Sequence, residues 1–147
     1  KMHIRELTSI EEMISLHHII LELYPKMSIK EYEKKIEKMI PHNYTQAIVL
    51  DDENNCIGVS GVWIGNKLWC GKYMEIDNII IKKENRSSGA GSILFDFLKE
   101  KAKQENCNIM VLDSYSTNFK AHRFFYNKSF SPKGFHFVNV LNEGEIR

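Results

Sequence analysis

Residues 74–92 constrain this chain more than any other stretch. Met74-Glu75-Ile76-Asp77-Asn78-Ile79-Ile80-Ile81 is too short for a stable helix, is rich in β-branched residues and carries two carboxylates that a purely structural strand does not need. A polar turn follows at Lys82 to Asn85. Arg86-Ser87-Ser88-Gly89-Ala90-Gly91-Ser92 then supplies a basic residue, two glycines and only small side chains before a helical pattern begins. Such a junction lets backbone amides approach an anion closely at the positive end of a helix. A phosphorylated partner is the expectation. Glu75 and Asp77 share a strand face by the period of two, unless a bulge intervenes.

The rest of the chain is organised around that junction. His3 to Leu7 predicts a first strand. Ser9 with Glu12 forms a capping box for one helix, on which Ile10, Met13, Ile14, His17, Leu21 and Tyr24 fall at helical spacing before Pro25. Ser28 with Glu31 caps a second helix, with Tyr32, Ile36, Met39 and Ile40 on its apolar face and Pro41 at its end. The period then changes. Tyr44 to Leu50 and Cys56 to Ile64 predict strands around the turn Asp51 to Asn55, and Gly65-Asn66 is expected to turn the chain into the strand of Glu75. Beyond the glycines, Ala90, Ile93, Leu94, Phe97, Leu98 and Ala102 mark a helix that packs on a sheet. The stretch Asn108 to Asp113 is apolar at successive positions, as a strand covered on both faces requires, and a crossover helix places it parallel to its predecessor. A helix over Asn118 to Lys128 and a final strand over Gly134 to Leu141 complete the prediction. The fold class expected is α/β (α+β), a mixed and mostly antiparallel sheet with a parallel pair and about four flanking helices, in one domain over residues 1–147.

Composition excludes several functions. The net charge of +1, with acids and bases interspersed, gives neither the basic face of a nucleic-acid-binding protein nor a polybasic membrane anchor. Cys56, Cys70 and Cys107 are odd in number, widely spaced and without a Cys-x-x-Cys pair, which fits the reducing cytoplasm. No apolar run approaches 18 residues and no signal-peptide pattern is present. The histidines lack metal spacing, with no His-Glu-x-x-His, so no metal is expected.

Three glycine-rich designs compete for the loop. A nucleoside-triphosphate loop needs Lys-Ser or Lys-Thr after its last glycine, where Ser92-Ile93 stands. A dinucleotide fingerprint needs a third glycine where Leu94 stands, and repeated strand-helix units. What remains is Arg-x-x-Gly-x-Gly at one strand-to-helix junction, or a helix start with no ligand.

That loop, the order of elements, and the later segment Asn118-x-x-Ala121-x-x-Phe124 with Phe130 beyond it resemble the GNAT superfamily of acyl-CoA-dependent N-acyltransferases over nearly the whole chain. The resemblance implies acetyl-CoA as co-substrate, with Arg86, Ser87, Ser88, Gly89, Ala90, Gly91 and Ser92 at the coenzyme pyrophosphate, and backbone groups of Ile79 and Ile81 along the pantetheine arm. It implies the Ile79 amide as oxyanion donor and Asn118 as a pantetheine partner. Glu75, eleven residues before Arg86, matches the glutamate base of the superfamily's histone-acetyltransferase branch. Asp77 is the second candidate. Phe125 stands where the superfamily usually has tyrosine, and Tyr126 follows one position later, about 100° round the helix. Tyr126 is the candidate acid, with Tyr115 and His122 behind it. Ser129 replaces the glycine expected before Phe130. The implied partner is a primary amine of a small molecule or protein, acting on a monomer or homodimer. A noncatalytic acyl-CoA-binding or regulatory module and a nucleotide-binding module are the rival readings. Tyr24, Tyr32, Trp63 and Trp69 are expected to frame the acceptor pocket, with edge or core packing the alternative role of the two tryptophans.

Overall fold

A computed structural model describes residues 1–147, which divide into two compact units, residues 1–112 and 113–147. The first holds a five-stranded sheet in the order β1 (His3–Leu7), β2 (Tyr44–Leu50), β3 (Cys56–Lys67), β4 (Gly71–Ile81) and β5 (Ile109–Leu112). The first three pairings are antiparallel and β4 with β5 is parallel. This is the mixed sheet the sequence predicts.

Strand alternation sends two sets of side chains to opposite faces. One set comprises Leu7, Tyr44, Ile48, Val59 and Ile80. It packs with Met13, Leu16, Ile19 and Ile20 of the opening helical region and with Tyr32 and Ile36 of α3 (Ile29–Met39) in one buried cluster. The other set, including Ala47, Val49, Val62, Met74 and Ile76, is buried on the opposite face, which α4 (Ala90–Gln104) covers with Leu94 and Leu98. Asp96, Lys99 and Glu100 on the other face of α4 are exposed.

Both capping boxes form: Ser9 accepts from the Glu12 amide and Ser28 from the Glu31 amide. The expected single first helix is instead two short ones, α1 (Ile10–Ile14) and α2 (His17–Ile20). The amides of Leu16 and Ile19 bond carbonyls three residues back, at Met13 and Leu16, which tightens the winding. The buried stripe therefore moves to Leu16, Ile19 and Ile20, away from Leu21. The turn expected at Gly65-Asn66 also shifts. β3 continues to Lys67, and Gly71, at φ 72°, follows the turn. Gly65 instead makes room for Tyr73, whose hydroxyl lies 2.7 Å from where a Cβ would be.

The second unit holds α5 (Phe119–Asn127), capped by Asn118, whose side chain accepts from the Ala121 amide at 3.2 Å. Its end is a Schellman motif. Phe130 N–H reaches the Phe125 carbonyl and Ser129 N–H the Tyr126 carbonyl, both at 3.0 Å. Ser129 takes φ 69°, which explains why glycine is expected there. The predicted strand over Gly134 to Leu141 is absent: these residues join no ladder, and Phe135, Phe137 and Leu141 are exposed. Alternating apolar residues supply strand propensity, but a strand exists only where a partner completes its backbone hydrogen bonds.

Candidate active site

Register places the candidate carboxylates. On β3, Trp63 lies opposite Glu75 and Gly61 opposite Asp77, whereas Val59 lies opposite Ile80. Asn78 and Ile79 together face the single residue Ser60, so β4 carries a bulge. Asn78 takes φ 49°, a left-handed conformation for which asparagine is well suited. Its side chain donates to the Tyr24 hydroxyl, tying the bulge to the segment after α2. The bulge follows Asp77, so Glu75 and Asp77 do share a face, as expected. It also reverses the parity beyond, which is why Ile80 joins the cluster under α1 to α3.

The parallel ladder covers only Tyr73 to Ile76 on β4. From Asp77 to Ile81 that edge of β4 has no strand beside it, and Ile79 has no registered partner in either ladder. An extended amide chain can add to such an edge as another strand does. In the same unit, α4 follows its N-cap Gly89, φ 90°, which has no side chain to offer the helix. Ser87 also takes positive φ, 69°, and the Ser88 hydroxyl accepts from the Ala90 amide at 3.3 Å. Loop backbone and helix dipole thus present donors and partial positive charge, as an anionic group requires. Arg86 is bent back: its Nε donates to the Ile81 carbonyl at 3.3 Å and its guanidinium lies 3.7 Å from Glu22. Glu22 also accepts from the Lys83 amide at 3.1 Å. The α2 segment therefore holds the end of β4 through Glu22 and Tyr24 together.

On the carboxylate face sits a polar network that sequence reasoning only partly found. Gln46, buried on β2, donates through Nε2 to the hydroxyls of Tyr32 (3.0 Å) and Tyr44 (3.1 Å). Burial first, and the charge of Asp77 among lesser causes, pushes the Tyr44 phenol far above the usual tyrosine range, so it stays neutral. Burial likewise raises Tyr32. Trp63 packs on Tyr44 with centroids 4.9 Å apart, and its indole N–H donates to Asp77 Oδ2 at 3.0 Å. Trp69, by contrast, is exposed in the turn before β4. Tyr44 and Gln46 were not predicted as part of the site. The available signal was a glutamine in a mostly apolar strand and a glycine within the next one.

In the second unit, Asn118 serves as the helix cap, Tyr126 is exposed, and His122 bonds the Tyr115 carbonyl at 2.8 Å. Phe125 sits between the rings of Phe124 and Phe130. An open cavity of about 610 Å³ lies elsewhere, lined by residues including Arg5, His18, Asp51, Cys56 and Lys82, and includes none of the candidate residues. No three histidine, cysteine or acidic side chains gather as a metal-ligand group, and no helix is long and apolar enough to cross a membrane.

The mixed sheet with its parallel pair is the fold of solved acetyltransferases. An aminoglycoside acetyltransferase from an uncultured soil metagenomic sample, solved with sisomicin, superposes with a TM-score of 0.81 at 13% identity, covering 96% of this chain and 97% of that one. The glucosamine-6-phosphate N-acetyltransferase of Arabidopsis thaliana gives 0.75 at 17% identity, covering 97% and 99%. The model of the acetyltransferase (GNAT) family matches residues 13–130, and the chain belongs to that family. An uncharacterized N-acetyltransferase, YhdJ, of Bacillus subtilis (strain 168) is 24% identical over 127 residues, 86% of this chain and 89% of that protein.

Proposed function

We propose that this protein is an N-acetyltransferase that moves the acetyl group of acetyl-CoA to a primary amine of a small molecule or protein, by direct attack in a ternary complex in the cytoplasm. The observation that carries this reading is one continuous element. Glu75 and Asp77 stand on one face of β4, no strand lies beside its edge from Asp77 to Ile81, and the glycine helix start at Gly89 follows. The pyrophosphate is assigned to residues 86–92 and the pantetheine amides to the backbone of Ile79 and Ile81.

A lysine-like amine of pKa about 10.4 must lose a proton to attack, which costs about 4–5 kcal/mol at pH 7. Glu75 takes that proton, directly or through a water. The nitrogen then bonds the thioester carbonyl carbon, and the Ile79 amide supports the oxyanion. As the carbonyl reforms, the carbon–sulfur bond breaks and the nitrogen releases its second proton to solvent. The thiolate, from a thiol of pKa near 8.5, is a good leaving group that needs less acid assistance than an amine would. Tyr126 is the candidate proton donor.

A free-thiol assay with acetyl-CoA against a panel of amines tests the activity. Glu75→Gln is expected to lower turnover at pH 7 by 10²-fold or more, in the range of a lost general base, with acetyl-CoA affinity by calorimetry nearly unchanged. Undiminished turnover removes Glu75 from the mechanism. Phe125, in place of the usual tyrosine, favours one second reading, a noncatalytic acyl-CoA-binding or regulatory module. Acetyl-CoA binding without thiol release across the panel selects it.

A further inference from the structure

The indole of Trp63 has a partner that strand pairing does not require. Its neighbours across the sheet are Tyr44 on β2 and Glu75 on β4, yet its N–H reaches diagonally to Asp77 Oδ2 at 3.0 Å. Tyr44 braces the indole from behind and is itself held by Gln46 at 3.1 Å. Gly61, opposite Asp77, admits that tyrosine, since a Cβ there would lie 2.7 Å from its hydroxyl. A packed indole donor and a missing side chain thus fix the rotamer of a half-buried carboxylate at the front of the bulge. An indole N–H only donates. It fixes Oδ2 and leaves Oδ1 able to accept from a cation, and no other protein donor engages Asp77. Carboxylate beside aromatic faces is the chemistry that receives an ammonium carried on methylenes.

We propose that Trp63 is a positioning residue that holds Asp77 as the cation anchor of the acceptor site, so that a primary alkylammonium pairs with Asp77 Oδ1 while its methylenes lie against the indole. Asp77 binds and Glu75, two residues earlier on the same face, accepts the proton. The assignment rests on acetyl transfer to an amine as the function, and it divides between two carboxylates the work that the sequence left shared.

The test uses the full chain and two readouts. Trp63→Phe keeps a ring and removes the N–H. Its amine KM is expected to rise about tenfold or more, the size of a lost hydrogen bond to a charged group, with a smaller fall in kcat and no change in acetyl-CoA affinity. In an Asp77→Asn background the same substitution is expected to add little. A merely structural tryptophan would act equally in both backgrounds. The second readout needs no turnover. The chain has two tryptophans, so a ¹⁵N spectrum shows two indole N–H signals, assigned with Trp69→Phe. Butylamine and putrescine at millimolar concentration are expected to move the Trp63 signal, and to leave it in place in Asp77→Asn. Movement without thiol release would support the anchor while overturning acetyl transfer. A Trp63 signal that neither amine moves, or a KM effect undiminished in Asp77→Asn, overturns the anchor.

Discussion

Gly61→Ala probes the carboxylate face through stability. An added Cβ would meet Tyr44 Oη at 2.7 Å, Tyr44 Cε1 at 2.9 Å and the Asp77 carbonyl oxygen at 3.0 Å. None of the three yields easily. Tyr44 is 4% exposed and packed on Trp63, and the Asp77 oxygen is backbone in a ladder. Overpacking of this kind costs about 1–3 kcal/mol, which for a chain of this size lowers Tm by roughly 2–12 °C. Tyr44→Phe alone removes one hydrogen bond to Gln46 and costs about 0.5–1.5 kcal/mol. It also removes the nearest of the three atoms, so the double variant is expected to be more stable than the sum of the singles by about 0.5–1 kcal/mol. Urea unfolding followed by circular dichroism measures all four proteins. A Gly61→Ala midpoint equal to wild type, or strict additivity, refutes the packing argument.

Tyr44 also makes a pH prediction. Its folded-state pKa is raised by burial. Below the ordinary tyrosine value of about 10 both states are protonated and Tyr44 contributes no pH dependence. Above it the unfolded chain ionises and the folded one resists, so stability falls as pH rises. Urea midpoints between pH 9 and 11 are expected to fall more steeply for wild type than for Tyr44→Phe; equal slopes contradict the assignment. Gly89→Ala imposes positive φ on a residue with a side chain, at about 1–2 kcal/mol, while nothing lies within 4 Å of the new Cβ. A lower Tm with a weaker calorimetric affinity for acetyl-CoA is the expected outcome, and unchanged values for both would argue against the conformational role of the loop.

Much of this molecule was legible because it is local. Serine caps at Ser9 and Ser28, the Asp51 to Asn55 turn, the α4 stripe and the strand feeding a glycine-softened helix start each depend on residues within a few positions of one another. Glu75, Asp77 and the loop to Ser92 were singled out for that reason, and so was the family resemblance, which the family model bears out. The misreadings occur where local preference meets a distant constraint. Gly65 looked like a turn residue and proved to be clearance for Tyr73, eight positions on. The stripe from Ile10 to Tyr24 ignored the tightened winding at Leu16. Phe135 to Leu141 alternates as a strand should, yet has no ladder.

The sequence by itself determined which residues could carry chemistry: a carboxylate pair, a β-branched strand, and a junction whose glycines can take positive φ. Tertiary structure decided how they are arranged. The bulge at Asn78 and Ile79, the edge beyond Ile76 that no strand covers, and the diagonal bond from Trp63 to Asp77 arise from register between strands far apart in the chain. Register is set by the sum of side chains buried on both faces of the sheet, and no short stretch of sequence contains that sum.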